Sequence, residues 1–271
     1  MTVLLHLSDT HFGTEQPAVV TAAQKLAHAE KPDAVILSGD ITQRARAAQF
    51  DAARAFCDGL QVERLLTLPG NHDIPLYNVA ARLLAPYAAY TRVFGHELEP
   101  ELEFGDVLVI GVNTTRPERH KDGEVSPQQI ARVVQRLQGA RREQLRIVVT
   151  HQPACVMRPE DEKDRLHGGD EAVQAWSQAG ADLVLGGHIH LPYVSDVCAR
   201  VKGTGRPMYC IQAGTAFSHR VRHNTPNSVN VVRWTPPATG APRVCRVERW
   251  DYDLADDRFE MTHPYELTLG E

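Results

Sequence analysis

Leu66-Thr67-Leu68-Pro69-Gly70-Asn71-His72-Asp73 is the stretch on which the fold of this chain turns. Residues 65–68 are apolar enough for a buried strand, and Pro69-Gly70 is a turn pair that ends it. Asn71, His72 and Asp73 therefore stand at the carboxyl end of a strand, the edge where open α/β sheets carry their chemistry. Asn71 offers a neutral oxygen. His72 can ligate a metal, donate to phosphate or shuttle a proton. Asp73 can orient either neighbour, although a purely structural turn role suits it better. All three are also ordinary turn residues, so the stretch gains meaning only from others like it.

Working upstream, residues 3–7 form an apolar strand broken only by His6, ending at Ser8-Asp9-Thr10-His11. Asp9 and His11 are two apart, so an extended segment would point both the same way. A helix is expected over 18–29, stopped by Lys31-Pro32-Asp33. A second strand, 34–37, ends at Ser38-Gly39-Asp40, and a second helix follows over 45–60 with Arg44, Arg46 and Arg54 exposed. Downstream, 74–94 reads as a helix broken at Pro86. Its Tyr77, Tyr87, Tyr90 and Phe94 suit a core stripe, a cap over a site, or a homodimer contact. Strands at 98–104 and 107–112 flank Gly105-Asp106, and a helix over 127–137 starts at Ser126 with Pro127 first. Strand 146–150 delivers His151. The charged loop 157–169 reads equally as a substrate loop or a solvated one. After a helix at 171–178, strand 181–185 ends in Gly186-Gly187-His188-Ile189-His190, a second alternating pair. Strand 209–213 runs into Gly214-Thr215-Ala216, residues 243–252 alternate as an outer strand, and the last fifteen or so residues are acidic and weakly patterned.

The chain has 271 residues, 42% hydrophobic and 23% charged, the make-up of an ordinary globular protein. No repeat or long linker divides it. One domain over 1–271 is expected, with a site-bearing core at about 1–215 and C-terminal strands and tail at about 216–271. A net charge of −5 and no basic tract disfavour nucleic acid. The five cysteines are scattered, without a C-x-x-C pair, which fits reduced thiols. The first residues read as a strand and not as a signal peptide, and no apolar run is long enough to span a membrane. A cytoplasmic location is the expectation.

Asp9, His11, Asp40, Asn71, His72, His151, His188 and His190 each follow an apolar run. One such histidine is usually a satisfied core group; eight polar groups at five strand ends are not explained that way. Carboxylate, amide and imidazole without thiolate suit Mn, Fe, Zn or Co and disfavour a cysteine-zinc site. The number exceeds the needs of one ion and suits two, roughly 3.5–4 Å apart and bridged by a carboxylate, which would clamp phosphate oxygens and lower the pKa of a bridging water.

Asp9-Thr10-His11, Gly39-Asp40, Gly70-Asn71-His72-Asp73, His151 and Gly187-His188-Ile189-His190 resemble, in order, the five motifs of the calcineurin-like metallophosphoesterases. The resemblance implies a four-layer α-β-β-α sandwich of two mixed sheets flanked by helices. It implies that Asp9, His11 and His190 bind a first metal, that Asn71, His151 and His188 bind a second, and that Asp40 bridges them. His72, with Asn71, would contact the substrate, and His72 would protonate the leaving oxygen. The Asp-x-His opening and the Gly-His-Ile-His motif are most similar to the branch of bacterial cyclic-nucleotide and glycerol phosphodiesterases. The stretch from Ala213 through Arg220, Arg222 and Asn227-Ser228 is similar too, and is as well explained by a loop closing the second sheet. The implied activity is dimetal hydrolysis of a small phosphodiester by a metal-bridging hydroxide, with 3′,5′-cyclic AMP as one candidate. The alternatives are phosphomonoester or pyrophosphate hydrolysis at the same metals, or a metal-binding interaction module without catalysis.

Overall fold

The computed structural model describes residues 1–270. Its first half alternates strand and helix: β1 (Thr2–Leu7), α1 (Pro17–Glu30), β2 (Ala34–Leu37), α2 (Ala47–Gly59) and β3 (Leu65–Thr67). The short helices α3 (Val79–Leu84) and α4 (Ala88–Phe94) follow, then β4 (Glu101–Phe104), β5 (Val107–Gly111), α5 (Pro127–Gln138), β6 (Leu145–Val149), α6 (Gly169–Ala179) and β7 (Leu183–Gly186). Five strands complete the chain: β8 (Tyr193–Asp196), β9 (Tyr209–Gln212), β10 (Ser228–Trp234), β11 (Val244–Asp253) and β12 (Arg258–Thr268).

They build two mixed six-stranded sheets, in the orders β12-β11-β10-β1-β2-β3 and β4-β5-β6-β7-β9-β8. Strand periodicity explains how these sheets stack. In β1, Leu4 joins Ile36, Leu66, Val109, Ile147 and Leu185 between the sheets, while Val3, Leu5 and Leu7 face the layer of α1, α2 and α4. In β5, Val107 and Val109 point between the sheets; Leu108 and Ile110 point to α5 and α6. Because both faces are covered, these strands are continuous apolar runs, as buried parallel strands require. The result is the four-layer α-β-β-α sandwich.

Strands β1, β2 and β3 are parallel, as are β5, β6, β7 and β9. Each sheet therefore collects its carboxyl ends at one edge, the prerequisite for a shared site.

Several expectations are corrected. The segment 243–252 is not the outer strand: β11 is covered by β12, which lies in the tail read as weakly patterned. An edge strand needs few apolar residues and tolerates Pro264, so its periodicity is faint; only Phe259 and Leu267 are buried in it. The four-residue edge strand β8 has the same explanation and was not anticipated. Helix α2 starts at Ala47 and not at 45, because Ala45 has φ 52°, outside the helical range. The 74–94 helix is indeed broken beside Pro86, and its aromatic residues divide. Tyr90 is fully buried and shares a hydrogen bond of 2.8 Å with the Thr67 hydroxyl, whereas Tyr77 is 79% exposed.

Candidate metal centre

All eight polar residues singled out above meet where the carboxyl edges of the two sheets come together. β1 leads to Asp9 and His11, β2 to Asp40, β3 to Asn71 and His72, β6 to His151, and β7 to His188 and His190. Asp9, His11, Asp40 and His151 are buried, and His72 is half-buried at the mouth of a cleft of about 500 Å³. Two groups of side chains have their ligand atoms within 4.8 Å of one another: Asp9, His11 and His190, and Asp40, His151 and His188. A third, His11, Asp40 and His72, lies across the gap between them.

The expected route of convergence is wrong in one respect. Asp9 and His11 do not share the face of an extended strand, nor do His188 and His190. All four have left-handed backbone, with φ of 51°, 45°, 73° and 55°, and Asp40 has φ 48°. Each chain turns immediately after its strand and throws the side chain back over the sheet edge. Asp and His tolerate this region better than bulky residues, and such strain concentrates at functional sites. Gly39, at φ 103°, allows the same turn one residue earlier; a Cβ there would stand 2.5 Å from His151 Nδ1.

The donor set fits cations. Buried Asp9 Oδ1, Asn71 Oδ1, His151 Nε2 and His188 Nδ1 have no hydrogen-bond partner, and a native interior rarely leaves such atoms unpaired. Asp9 Oδ1 lies 3.2 Å from His190 Nε2, and Asp40 Oδ1 3.2 Å from His151 Nε2. His11 Nε2 and His190 Nε2 face each other at 3.0 Å. A carbonyl can only accept, so its partner on an imidazole must carry hydrogen. His151 Nδ1 donates to Ser38 O at 2.8 Å and His190 Nδ1 to Arg220 O at 2.5 Å. Both Nε2 atoms are thereby aimed into the cluster, the arrangement of carbonyl partners that orients metal-ligating histidines. Backbone groups fix both carboxylates: Asp9 Oδ2 accepts from His188 N at 2.9 Å, and Asp40 Oδ1 also accepts from His72 N at 2.8 Å, leaving Asp40 Oδ2 3.7 Å from His11 Nε2.

The electrostatics point the same way. Burial opposes ionisation of Asp40, yet His151 and His72 hold its carboxyl well below the usual range. Burial likewise opposes charge on His151, but Asp40 and Asp9 raise it to about 9. Burial also works against His190, which Asp9 raises. Burial and neighbouring His151 lower His188 to about 4, and burial carries His11 well down. Two carboxylates thus draw protons onto two imidazoles, and a bound cation would displace those protons.

Asp73 takes the structural role. It is fully buried and accepts from Gly70 N at 2.8 Å, Ile41 N at 3.0 Å, Thr42 N at 2.8 Å and Thr42 Oγ1 at 2.8 Å. It clips the loop after Asp40 to the turn before Asn71. Burial and the Asp40 charge push its carboxyl up to about 7, against the pull of three backbone N–H groups.

The cleft holds further residues. Arg220 Nη1 lies 3.2 Å from His72 Nε2 and 3.1 Å from Gln43 Oε1. Arg222 pairs with buried Asp161 in the 157–169 loop, and Lys121 pairs with Asp164 at 2.7 Å across the mouth. That loop therefore walls the cleft. Lys121, Asp164 and Gln43 were not anticipated, because a charged or amide residue in a polar loop has no distinguishing pattern.

The sequence profile of the calcineurin-like phosphoesterases matches residues 2–192, and the chain belongs to that family. A glycerophosphodiester phosphodiesterase, GpdQ of Enterobacter lignolyticus, is 34% identical over 82 residues, covering 26% of this chain and 29% of that protein. The matched stretch is under a third of that relative's length. A purple acid phosphatase from yellow lupin (Lupinus luteus) seeds superposes with a TM-score of 0.71 at 13% identity, over 98% of this chain and 53% of that one. A dimetal phosphatase from Danio rerio gives 0.67 at 12% identity, over 99% of both chains. At these identities the likeness is one of fold. Among the described residues no helix is long and apolar enough to cross a membrane.

Proposed function

We propose that the chain is a dimetal phosphodiesterase acting on small phosphodiesters, with 3′,5′-cyclic AMP as one candidate. The observation that carries this is the convergence of Asp9, Asn71, His151 and His188, whose buried ligand atoms make no hydrogen bond, from four loops, with Asp40 from a fifth beside them. Asp9, His11 and His190 would hold one cation, Asn71, His151 and His188 the other, and Asp40 would be shared. Manganese, iron or zinc suits this nitrogen and oxygen set. Two such cations supply Lewis acidity toward phosphoryl oxygens and a water of lowered pKa.

The chain's own residues do the rest. His72 Nδ1 donates to Gln43 O at 3.0 Å, so Nε2 is the atom left to exchange a proton with the substrate. With Arg220 turned from Nε2 to the phosphate and His72 protonated at Nε2 from solvent, a water oxygen bonds to phosphorus as the bond to the leaving alcohol breaks; the His72 proton passes to the leaving oxygen, and the proton lost by the water goes to solvent. Arg220, beside that nitrogen, offers its guanidinium to a non-bridging oxygen, and Asn71 shares the wall of the cleft. The name of the relative, a phosphodiesterase, supports a diester over a monoester.

The test is turnover by metal-stripped protein reloaded with Mn²⁺, on bis(p-nitrophenyl) phosphate, p-nitrophenyl phosphate and 3′,5′-cyclic AMP. The expected result is fast cleavage of the aryl diester and slow cleavage of the monoester, with both abolished in Asp40→Ala and strongly reduced in His72→Ala. Preference for the monoester would replace the reading with a phosphomonoesterase. Bound metal with no turnover of any phosphoester would favour an interaction module.

A further inference from the structure

Asn71 and His72 line two spaces, the main cleft and a narrow recess of about 30 Å³ on its other side. Arg44 and Leu76 line the recess and also a groove of about 460 Å³ that runs on beneath Tyr77. Through these shared residues the three spaces lie in a row from the metal centre, past His72, to α3, and the recess between the two larger ones has room for only about one or two waters.

The charges along this row are uneven. In the main cleft two of the three cations have carboxylate partners, Lys121 with Asp164 and Arg222 with Asp161, and Arg220 faces His72 and Gln43. The recess and groove carry Arg44, Arg46, Arg82 and His120, and no carboxylate lines either. Arg82 Nη1 donates to Pro75 O at 3.2 Å, and the Arg44 guanidinium lies 5.5 Å from the centroid of the Tyr77 ring. Tyr77 is 79% exposed, and no residue of α3 is buried. In a chain with 34 acidic and 29 basic residues, three guanidiniums without a facing carboxylate make a local anion-attracting field. An exposed aromatic ring beside an arginine adds a stacking face.

We infer that this row of spaces is a leaving-group subsite, and that the substrate is a linear phosphodiester whose departing alcohol carries its own negative charge and a flat face, the chemistry of a nucleotide. The inference rests on the phosphodiesterase reading. A leaving group protonated at His72 Nε2 lies along the Asn71–His72 wall, which borders the recess. Arg44 and Arg82 then meet its anion, and Tyr77 its ring. In a 3′,5′-cyclic nucleotide the leaving oxygen stays tethered through the ribose and brings no second negative charge, so these arginines would give it no preference over an uncharged leaving group.

The test compares methyl 4-nitrophenyl phosphate with methyl 3-carboxy-4-nitrophenyl phosphate, whose leaving phenol bears an extra carboxylate. Each kcat/KM is divided by the rate of alkaline hydrolysis to remove electronic differences. The Mn²⁺-loaded wild type should favour the carboxylated ester by about 10- to 100-fold, the range for one or two hydrogen bonds to charge. Arg44→Gln should lower that ratio several-fold, and Arg44→Gln/Arg82→Gln should bring it near one. The Arg44 guanidinium makes no backbone bond, so the single variant keeps the test informative if the double variant misfolds. Turnover of both esters with a wild-type ratio near one, or a ratio unmoved by Arg44→Gln, overturns the subsite and leaves the phosphodiesterase standing. No turnover of either ester or of bis(p-nitrophenyl) phosphate removes the phosphodiesterase reading, and the subsite falls with it.

Discussion

Gly70→Ala isolates how closely the two central loops must approach. Gly70 has φ −101° and ψ 179°, a conformation alanine adopts freely, so the substitution carries no backbone penalty. Its cost is steric. A Cβ at Gly70 would overlap both the backbone nitrogen and Oδ1 of Asp40 and would lie 2.7 Å from its Cα. Restoring ordinary contact requires the Asp40 and Asn71 loops to part by roughly 1 Å, and overpacking of this kind costs about 1–3 kcal/mol of stability. The same separation strains two hydrogen bonds of 2.8 Å between the loops, from His72 N to Asp40 Oδ1 and from Thr42 N to Asp73 Oδ1. A misplacement of about 1 Å lowers turnover on the order of 10²-fold, and disturbed outer-shell contacts lower metal affinity by about 10- to 100-fold. Gly59→Ala is the control: at the last position of α2, its Cβ would meet only the mobile end of Gln24, at 3.0 Å. Calorimetric Mn²⁺ titration, kcat on bis(p-nitrophenyl) phosphate and urea unfolding should separate the two variants. If Gly70→Ala kept wild-type metal affinity and turnover within twofold, Asp40 and Asn71 would not act at a common centre.

Other outcomes follow from the same geometry. His6 is fully buried between Ser38 Oγ at 2.9 Å and Asn230 Nδ2 at 3.3 Å, and burial lowers it to about 3, against the pull of Asp9. The unfolded chain takes up its proton near pH 6.5 while the folded chain does not, so stability falls as pH drops below 6.5, by about 2 kcal/mol at pH 5. Urea midpoints of His6→Gln should fall less steeply over this range; parallel slopes would contradict the assignment. Asp182 is fully buried among Arg146, Arg206 and Arg243, with Arg243 at 2.8 Å from both oxygens. Asp182→Ala would strand three guanidiniums and should cost about 3–5 kcal/mol in urea, and a loss under 1 kcal/mol would show the cluster to be solvated. Loading the stripped protein with Mn²⁺ at about 1,000 times its Kd should stabilise it by about 4 kcal/mol. A melting temperature indifferent to metal would mean that the orphaned ligand atoms are satisfied in another way.

The sequence by itself determined the layering and the identity of the polar residues at the strand ends. Runs such as 34–37 and 183–185 are apolar throughout, which only a strand covered on both faces requires, and Asp40 and His188 follow them within three residues. Local pattern was enough because strand burial and strand termination are local properties. Tertiary structure alone decided how those residues meet. Asp9, His11, Asp40, His188 and His190 converge through left-handed turns after their strands, not through alternation along them. Backbone φ is set by the packing of neighbouring loops, such as Gly70 against Asp40. The edge strand β12 escaped notice because an edge needs little apolar surface. Lys121, Asp164 and Gln43 escaped because a loop residue acquires its surroundings only when distant segments close around it. Arg44 was legible as exposed, but its place between His72 and Tyr77 exists only once the loop before α2 and helix α3 line the same groove.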